Sequence, residues 1–136
     1  MTPEALAALH QSCFQTPPPW SAADFASLTA DPLVFLLTEG EAGFLLGRAV
    51  AGEAELLTLA VAPDSRRLGL GRKLVAAFLT TAGTRGAEQA FLEVSAENPA
   101  AIALYESQGF QTAGRRRGYY AAEGRRIDAL VMARAL

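Results

Sequence analysis

The chain has 136 residues, 51% of them hydrophobic, which suffices for one domain around one core and not for two, so residues 1–136 are read as a single domain. Its formal net charge is -2, with acids and bases interspersed, and this leaves no broad cationic field for a nucleic-acid backbone or an anionic bilayer. One cysteine and one histidine, Cys13 and His10, exclude a disulfide framework and a cysteine or histidine metal cluster, so any chemistry must rest on carboxylates, hydroxyls and backbone groups.

The N-terminus, MTPEALAALHQ, lacks the basic-then-apolar order of a signal peptide, and runs such as LVFLL and VAAFL are far shorter than a bilayer span. A cytoplasmic protein without membrane contact is expected. A first helical pattern runs from about Pro3 to Ser12, with Leu6, Leu9 and Phe14 near one side. Pro17-Pro18-Pro19 reads as a rigid turn, and Ser21 opens a second helix because SAAD resembles a capping box. Three apolar runs follow, Leu33 to Glu39, Phe44 to Val50 and Glu53 to Val61, separated by the hairpin turns GEAG and AG. They predict an antiparallel meander.

After Val61 the pattern changes. The polar loop APDSRRLGLG leads into Leu70, Leu74, Val75, Phe78, Leu79 and Ala82 at helical spacing. Ala90 to Val94 is a short strand, after which Asn98 reads as an N-cap with Pro99 at the first position of a helix reaching about Ser107. Gly109 fits the left-handed residue just past that helix, and FQTAGRRRGYY and RRIDALVMARA form two last strands around the turn AAEG. The order ααβββαβαββ predicts an α/β protein, a central mixed sheet with helices on both faces.

Three constellations carry chemistry. The strand-loop-helix of residues 57 to 74 leaves free amides at the start of a helix, where a pyrophosphate can sit, and Gly69 and Gly71 allow close backbone approach while Arg67, Arg72 and Lys73 add charge. A Walker A motif is absent, and the dinucleotide fingerprint fails because Leu74 stands where its third glycine belongs. A tight turn with surface arginines is the plain alternative. Glu93 interrupts the apolar strand AFLEV, where burial would raise its pKa toward the range of a general base; a partner-satisfied structural carboxylate is the alternative. Tyr105 offers a hydroxyl suited to donating to a departing thiolate, or simply packs beside Ile102 and Leu104. Asn98 has a sufficient role as a cap.

Arg66-Arg67-Leu68-Gly69-Leu70-Gly71 resembles the R/Q-x-x-G-x-G/A acetyl-CoA motif of the GNAT acetyltransferase superfamily, and FLEVSAENPAAIALYESQGF resembles that superfamily's later segment with its Asn, helical Tyr and closing GF. PPPWS, the segment from Glu93 to Phe110, and RRxYY followed by IDALVM are similar to the RimI-type members, which acetylate the N-terminal alanine of a small-subunit ribosomal protein. The resemblance implies a GNAT fold, acetyl-CoA as cosubstrate and no metal. It also implies pantetheine contacts at Leu59, Ala60 and Val61 and pyrophosphate contacts at Arg67, Leu68, Gly69, Leu70, Gly71 and Arg72. Asn98 becomes a further cofactor contact, Glu93 the general base and Tyr105 the general acid. The implied partner is a peptide or protein N-terminus, with Tyr119 and Tyr120 available to line its groove.

The sequence departs from the longer RimI-type proteins at its short N-terminus. A lysine side chain or small-molecule amine stays open as the acceptor, as does a non-catalytic acyl-CoA-binding module. Arg115, Arg116, Arg117, Arg125 and Arg126 form the basic clusters, and an RNA-facing or ribosome-facing patch is the second partner reading. His10 and Cys13 are read as plain residues of the first helix.

Overall fold

The computed structural model describes residues 1–14 and 18–136. Local capping chemistry sets the helix starts. Helix α1 (Pro3–Cys13) begins at Thr2, whose hydroxyl accepts from the Ala5 amide at 3.1 Å, with Pro3 where a missing N–H costs nothing. Helix α2 (Ala22–Ala30) begins with a reciprocal box in which the Asp24 amide donates to Ser21 Oγ at 3.1 Å and the Ser21 amide to Asp24 Oδ2 at 3.0 Å. Of the expected proline turn, Pro17 lies outside the described residues.

Strands β1 (Val34–Glu39), β2 (Gly43–Val50) and β3 (Glu53–Val61) form the antiparallel meander. The first starts one residue later than the apolar run suggests, because Asp31 Oδ1 accepts from the Leu33 amide at 2.9 Å and holds that residue in the preceding turn. Helix α3 (Leu70–Thr84), strand β4 (Gln89–Ser95), helix α4 (Pro99–Ser107), and strands β5 (Gln111–Ala122) and β6 (Arg125–Ala135) complete the order. The sheet runs β1-β2-β3-β4-β6-β5, and the one parallel pair, β3 with β4, is joined through α3.

Each face of the sheet has its own core. On one, Leu74, Val75 and Phe78 of α3 and Tyr105 of α4 pack with Leu45, Leu56 and Leu92; on the other, Leu6 of α1 and Phe25 of α2 pack with Val34, Phe44, Leu46 and Ala60. Both cores are apolar and close-packed, so the sheet between them is held rigidly.

Two irregularities position the site. Strands β3 and β4 pair only from Glu53↔Gln89 to Leu56↔Leu92; beyond that, Leu57–Val61 and Glu93–Ser95 run on without pairing to each other. The register of β2 with β3 also shifts between Leu46↔Thr58 and Gly47↔Leu56, which makes Leu57 a bulged residue. The bulge reverses the alternation: Ala54 and Leu56 face α3, whereas Thr58 and Ala60 face α1 and α2. The same sheet is therefore continuous at one end and split at the other.

Candidate active site

A cavity of about 520 Å³ occupies the split. Its floor and sides come from Glu55 to Leu59 of β3 and Glu93 to Ser95 of β4. Asn98, Ala101 and Tyr105 of α4, His10, Phe14 and Trp20 near α1, and Tyr119 and Tyr120 of β5 close it. Because the void passes between two strands, it reaches residues on both faces of the sheet. Glu93 alternates with the core residues Leu92 and Val94 and so faces the α1 side, while Tyr105 belongs to the core on the α3 side.

Glu93 is less buried than its apolar neighbours in sequence suggest. Its side chain is 23% accessible, and Oε1 lies 3.0 Å from Nε of Arg116. The reason is the split: where β3 leaves, the residue meets a cavity rather than packed side chains. Tyr105 is 6% accessible, and burial pushes its phenol well above the ordinary range, with Tyr120 adding to the effect. A phenol so shifted keeps its proton at neutral pH. Tyr120 is raised to about 12 by burial, the charge of Glu93 and Tyr119.

The backbone of β3 divides its groups between the ladder and the gap. The Ala62 amide donates to the Ala42 carbonyl at 2.7 Å across the register Gly43↔Val61, so by strand alternation Ala60 also turns its amide and carbonyl toward β2. Leu59 and Val61 turn theirs toward the gap. The Val61 carbonyl meets Cys13 Sγ at 3.3 Å and Arg66 Nε at 3.4 Å. Of the three strand residues singled out in the sequence, Leu59 and Val61 present backbone to the split and Ala60 does not.

The turn after β3 places Arg67 and Gly69 at φ of 69° and 76°, a left-handed conformation costly for arginine and natural for glycine. Gly69 caps α3 without a side chain, and the first amide bonded inside the helix is that of Lys73, which donates to the Gly69 carbonyl at 3.1 Å. The amides of Leu70, Gly71 and Arg72 are therefore available to an anion at the positive end of the helix dipole. Leu68 is 67% exposed at the tip of this turn. The turn does not border the cavity itself; it lies past the end of β3. Asn98 does border it, and its Oδ1 accepts from the Ala101 amide at 3.1 Å, which caps α4.

The cavity also takes in residues that the sequence presents as plain, His10 of the first helix among them. His10 is 1% exposed, and its Nδ1 accepts from the Trp20 amide at 3.1 Å, so Nε2 carries the proton that bonds Thr58 Oγ1 at 3.0 Å. Burial lowers its pKa to about 4. The signal for the bulge that brings Thr58 here was present: the apolar residues of EAELLTLAV shift phase at Leu56-Leu57. Glu55 gave no such signal.

The arginine clusters are largely engaged within the fold. Arg115 bonds Asp128 at 2.7 Å, Arg125 grips both oxygens of Glu97 at 2.6 and 2.7 Å, and Arg126 donates to the Gly118 carbonyl at 2.8 Å. Asp128 also accepts from the Gly118 amide at 2.8 Å, which stabilises the wide bulge between Arg116 and Tyr120 that brings both tyrosines to the cavity. No group of three or more His, Cys, Asp or Glu residues placed to hold a metal occurs among the described residues. None of the described helices is long and apolar enough to cross a membrane.

Comparison with known proteins agrees with this geometry. The acetyltransferase (GNAT) family profile matches residues 3–110. The chain is 45% identical over 118 residues, 85% of its length and 80% of the other's, to the [ribosomal protein bS18]-alanine N-acetyltransferase of Escherichia coli strain K12. It is 37% identical over 136 residues, covering 94% of this chain and 83% of the other, to the N-alpha-acetyltransferase RimI of Mycobacterium tuberculosis. The crystal structure of the Escherichia coli ribosomal-protein-S18-alanine N-acetyltransferase superposes with a TM-score of 0.87 at 38% identity, covering 98% of this chain and 86% of that one. A split parallel pair, a glycine-rich turn at a helix start and these relatives converge: the chain belongs to the GNAT family and is an acetyltransferase that takes its acetyl group from acetyl-CoA.

Proposed function

We propose that the enzyme transfers the acetyl group to the N-terminal α-amine of a protein, and that the acceptor is the N-terminal alanine of ribosomal protein bS18, met in the cytoplasm. The observation that carries this reading is the cavity through the sheet, with a carboxylate on one face and a protonated phenol on the other. The bS18-directed activity of the Escherichia coli relative supports the choice of acceptor.

The split supplies the acetyl-CoA site. Leu59 and Val61 bond the pantetheine amides in place of a neighbouring strand, with Ala60 fixing their spacing through β2. Leu70, Gly71 and Arg72 give their amides to the pyrophosphate, Arg67 and Leu68 shape the turn beneath it, Gly69 makes the turn possible, and Asn98 adds a contact beside the cap it forms. Glu93 takes a proton from the acceptor's ammonium, directly or through one water, and an α-amine with a reference pKa of about 8 asks little of it at neutral pH. The free amine then forms the C–N bond to the acetyl carbon as the C–S bond breaks; the nitrogen sheds its second proton to solvent, and the sulfur takes one through Tyr105, which water reprotonates, so that CoA leaves as the thiol. Tyr105 donates its hydrogen bond to the departing thiolate and stabilises the charge that develops on sulfur.

The competing acceptors are separated by one panel. A peptide beginning with alanine, the same peptide with a blocked N-terminus and a free lysine, and a small primary amine are each supplied with acetyl-CoA. The reading predicts kcat/KM at least about 100-fold higher for the first, a difference of roughly 2.7 kcal/mol in transition-state stabilisation. Preference for the lysine peptide or the small amine would overturn it.

A further inference from the structure

Glu55 is a second carboxylate in the cavity, and neither the motif nor the mechanism above uses it. It sits on β3 opposite Phe91, two residues before the bulge, on the face away from Ala54 and Leu56. Glu93 shares that face on β4. The two differ in their surroundings: Glu93 is paired with Arg116, whereas Glu55 has no salt bridge among the described residues.

The charged and titratable groups around Glu55 come from four elements. Glu93 on β4 repels it, and Arg48, its cross-strand partner on β2, attracts it. His10 on α1 is neutral, Arg116 on β5 is engaged by Glu93, and Tyr120 on β5 is protonated. Glu93 is bonded by Arg116, whereas Arg48 attracts Glu55 without forming a salt bridge to it, so the Glu55 carboxylate is the one at this end of the cavity whose oxygens are not held by a cation. Its complement is a single cation. Trp20 and Tyr120 border the same space, and aromatic rings beside a bound cation favour it.

We propose that Glu55 is a specificity-determining residue, which together with Glu93 binds the acceptor as an ammonium ion before the proton is removed. The proposal rests on the α-amine reading of the site. The raised pKa of Glu55, caused by burial and then by Glu93, shows that its ionised form is held at a disadvantage which a bound cation relieves.

The test is steady-state kinetics of Glu55→Gln with a peptide beginning with alanine, at about pH 7 and about pH 9.5, on either side of the reference α-amine pKa of about 8. At the lower pH the peptide KM rises about tenfold, with kcat within about twofold of wild type and the acetyl-CoA KM unchanged, a loss of about 1.4 kcal/mol in binding. At the higher pH the acceptor is neutral and the gap closes. Glu55→Asp keeps the charge and recovers most of the affinity. A variant and wild-type peptide KM that agree at about pH 7, or a gap that does not depend on pH, overturns the role of Glu55. Failure of the wild-type enzyme to acetylate the peptide at all would instead sink the α-amine reading, and the proposal with it.

Discussion

Glu93 and Tyr105 reach the cavity from opposite faces of the sheet, and the proposed mechanism gives each a separate task. Glu93→Gln preserves shape while removing the proton acceptor, so turnover should fall about 100-fold to 10,000-fold with acetyl-CoA affinity intact. Part of the loss should return at high pH, where the amine is already neutral. A pH-rate profile parallel to wild type with a drop below about threefold would reduce Glu93 to a structural partner of Arg116. Tyr105→Phe should slow turnover with little alkaline rescue, because the missing function lies at the leaving sulfur. His10 makes a different prediction. Its folded pKa of about 4 lies below the unfolded value of 6.5, so between them the unfolded chain binds the extra proton. Stability is therefore full above pH 6.5 and is lost as pH falls toward 4, with a slope of at most about 1.4 kcal/mol per pH unit for one proton. Denaturant titrations across this window should show the decline in wild type and a flatter curve in His10→Gln. Identical curves would mean that His10 is not the group responsible.

The elements follow from signals that act over a few residues. The Ser21 and Asp24 box, Asn98 with Pro99, and Gly109 at φ 91° each mark a boundary through local bonding or backbone freedom, and these boundaries are legible in sequence, whereas the Thr2 cap of α1 shows only in the structure. The split was not legible from residue patterns, because whether β3 and β4 keep pairing beyond Leu56 and Leu92 depends on what packs around both. For the same reason Glu93 is more exposed than its apolar neighbours in sequence imply, and Glu55 gives no signal, because a charged residue in a half-exposed strand looks ordinary until its neighbours are known. Two substitutions probe the elements. A Cβ on Gly47 would lie 2.5 Å from Phe35 Cζ and 2.9 Å from Phe78 Cδ1, so Gly47→Ala should cost about 1–3 kcal/mol of folding stability by urea titration. No loss would mean that the stacked rings yield freely. Gly71→Val adds a branched side chain to the free-amide turn of α3, where the nearest obstacle to a Cβ is the flexible tip of Leu104 at 3.2 Å. Acetyl-CoA affinity should drop at least about tenfold while the fold survives. Unchanged affinity would place the pyrophosphate elsewhere.

At the scale of the whole molecule, two apolar cores clamp a sheet that is intact at one end and open at the other, and the proposed function places both substrates in that opening. A ligand filling the gap replaces strand pairing that the protein lacks, so acetyl-CoA at about 100 times its dissociation constant should stabilise the fold by roughly 2.7 kcal/mol. NAD and ATP at equal concentration should do much less in the same thermal scan, and a matching shift from either would contradict the assignment of the helix start. The account stands most directly on where the acetyl group goes. Purified enzyme, acetyl-CoA and a peptide with the bS18 N-terminal sequence, an alanine first and lysines left unblocked within it, should give a product whose fragmentation spectrum carries the acetyl group on the α-amine of the alanine. A spectrum with the group on a lysine and the α-amine free would contradict it.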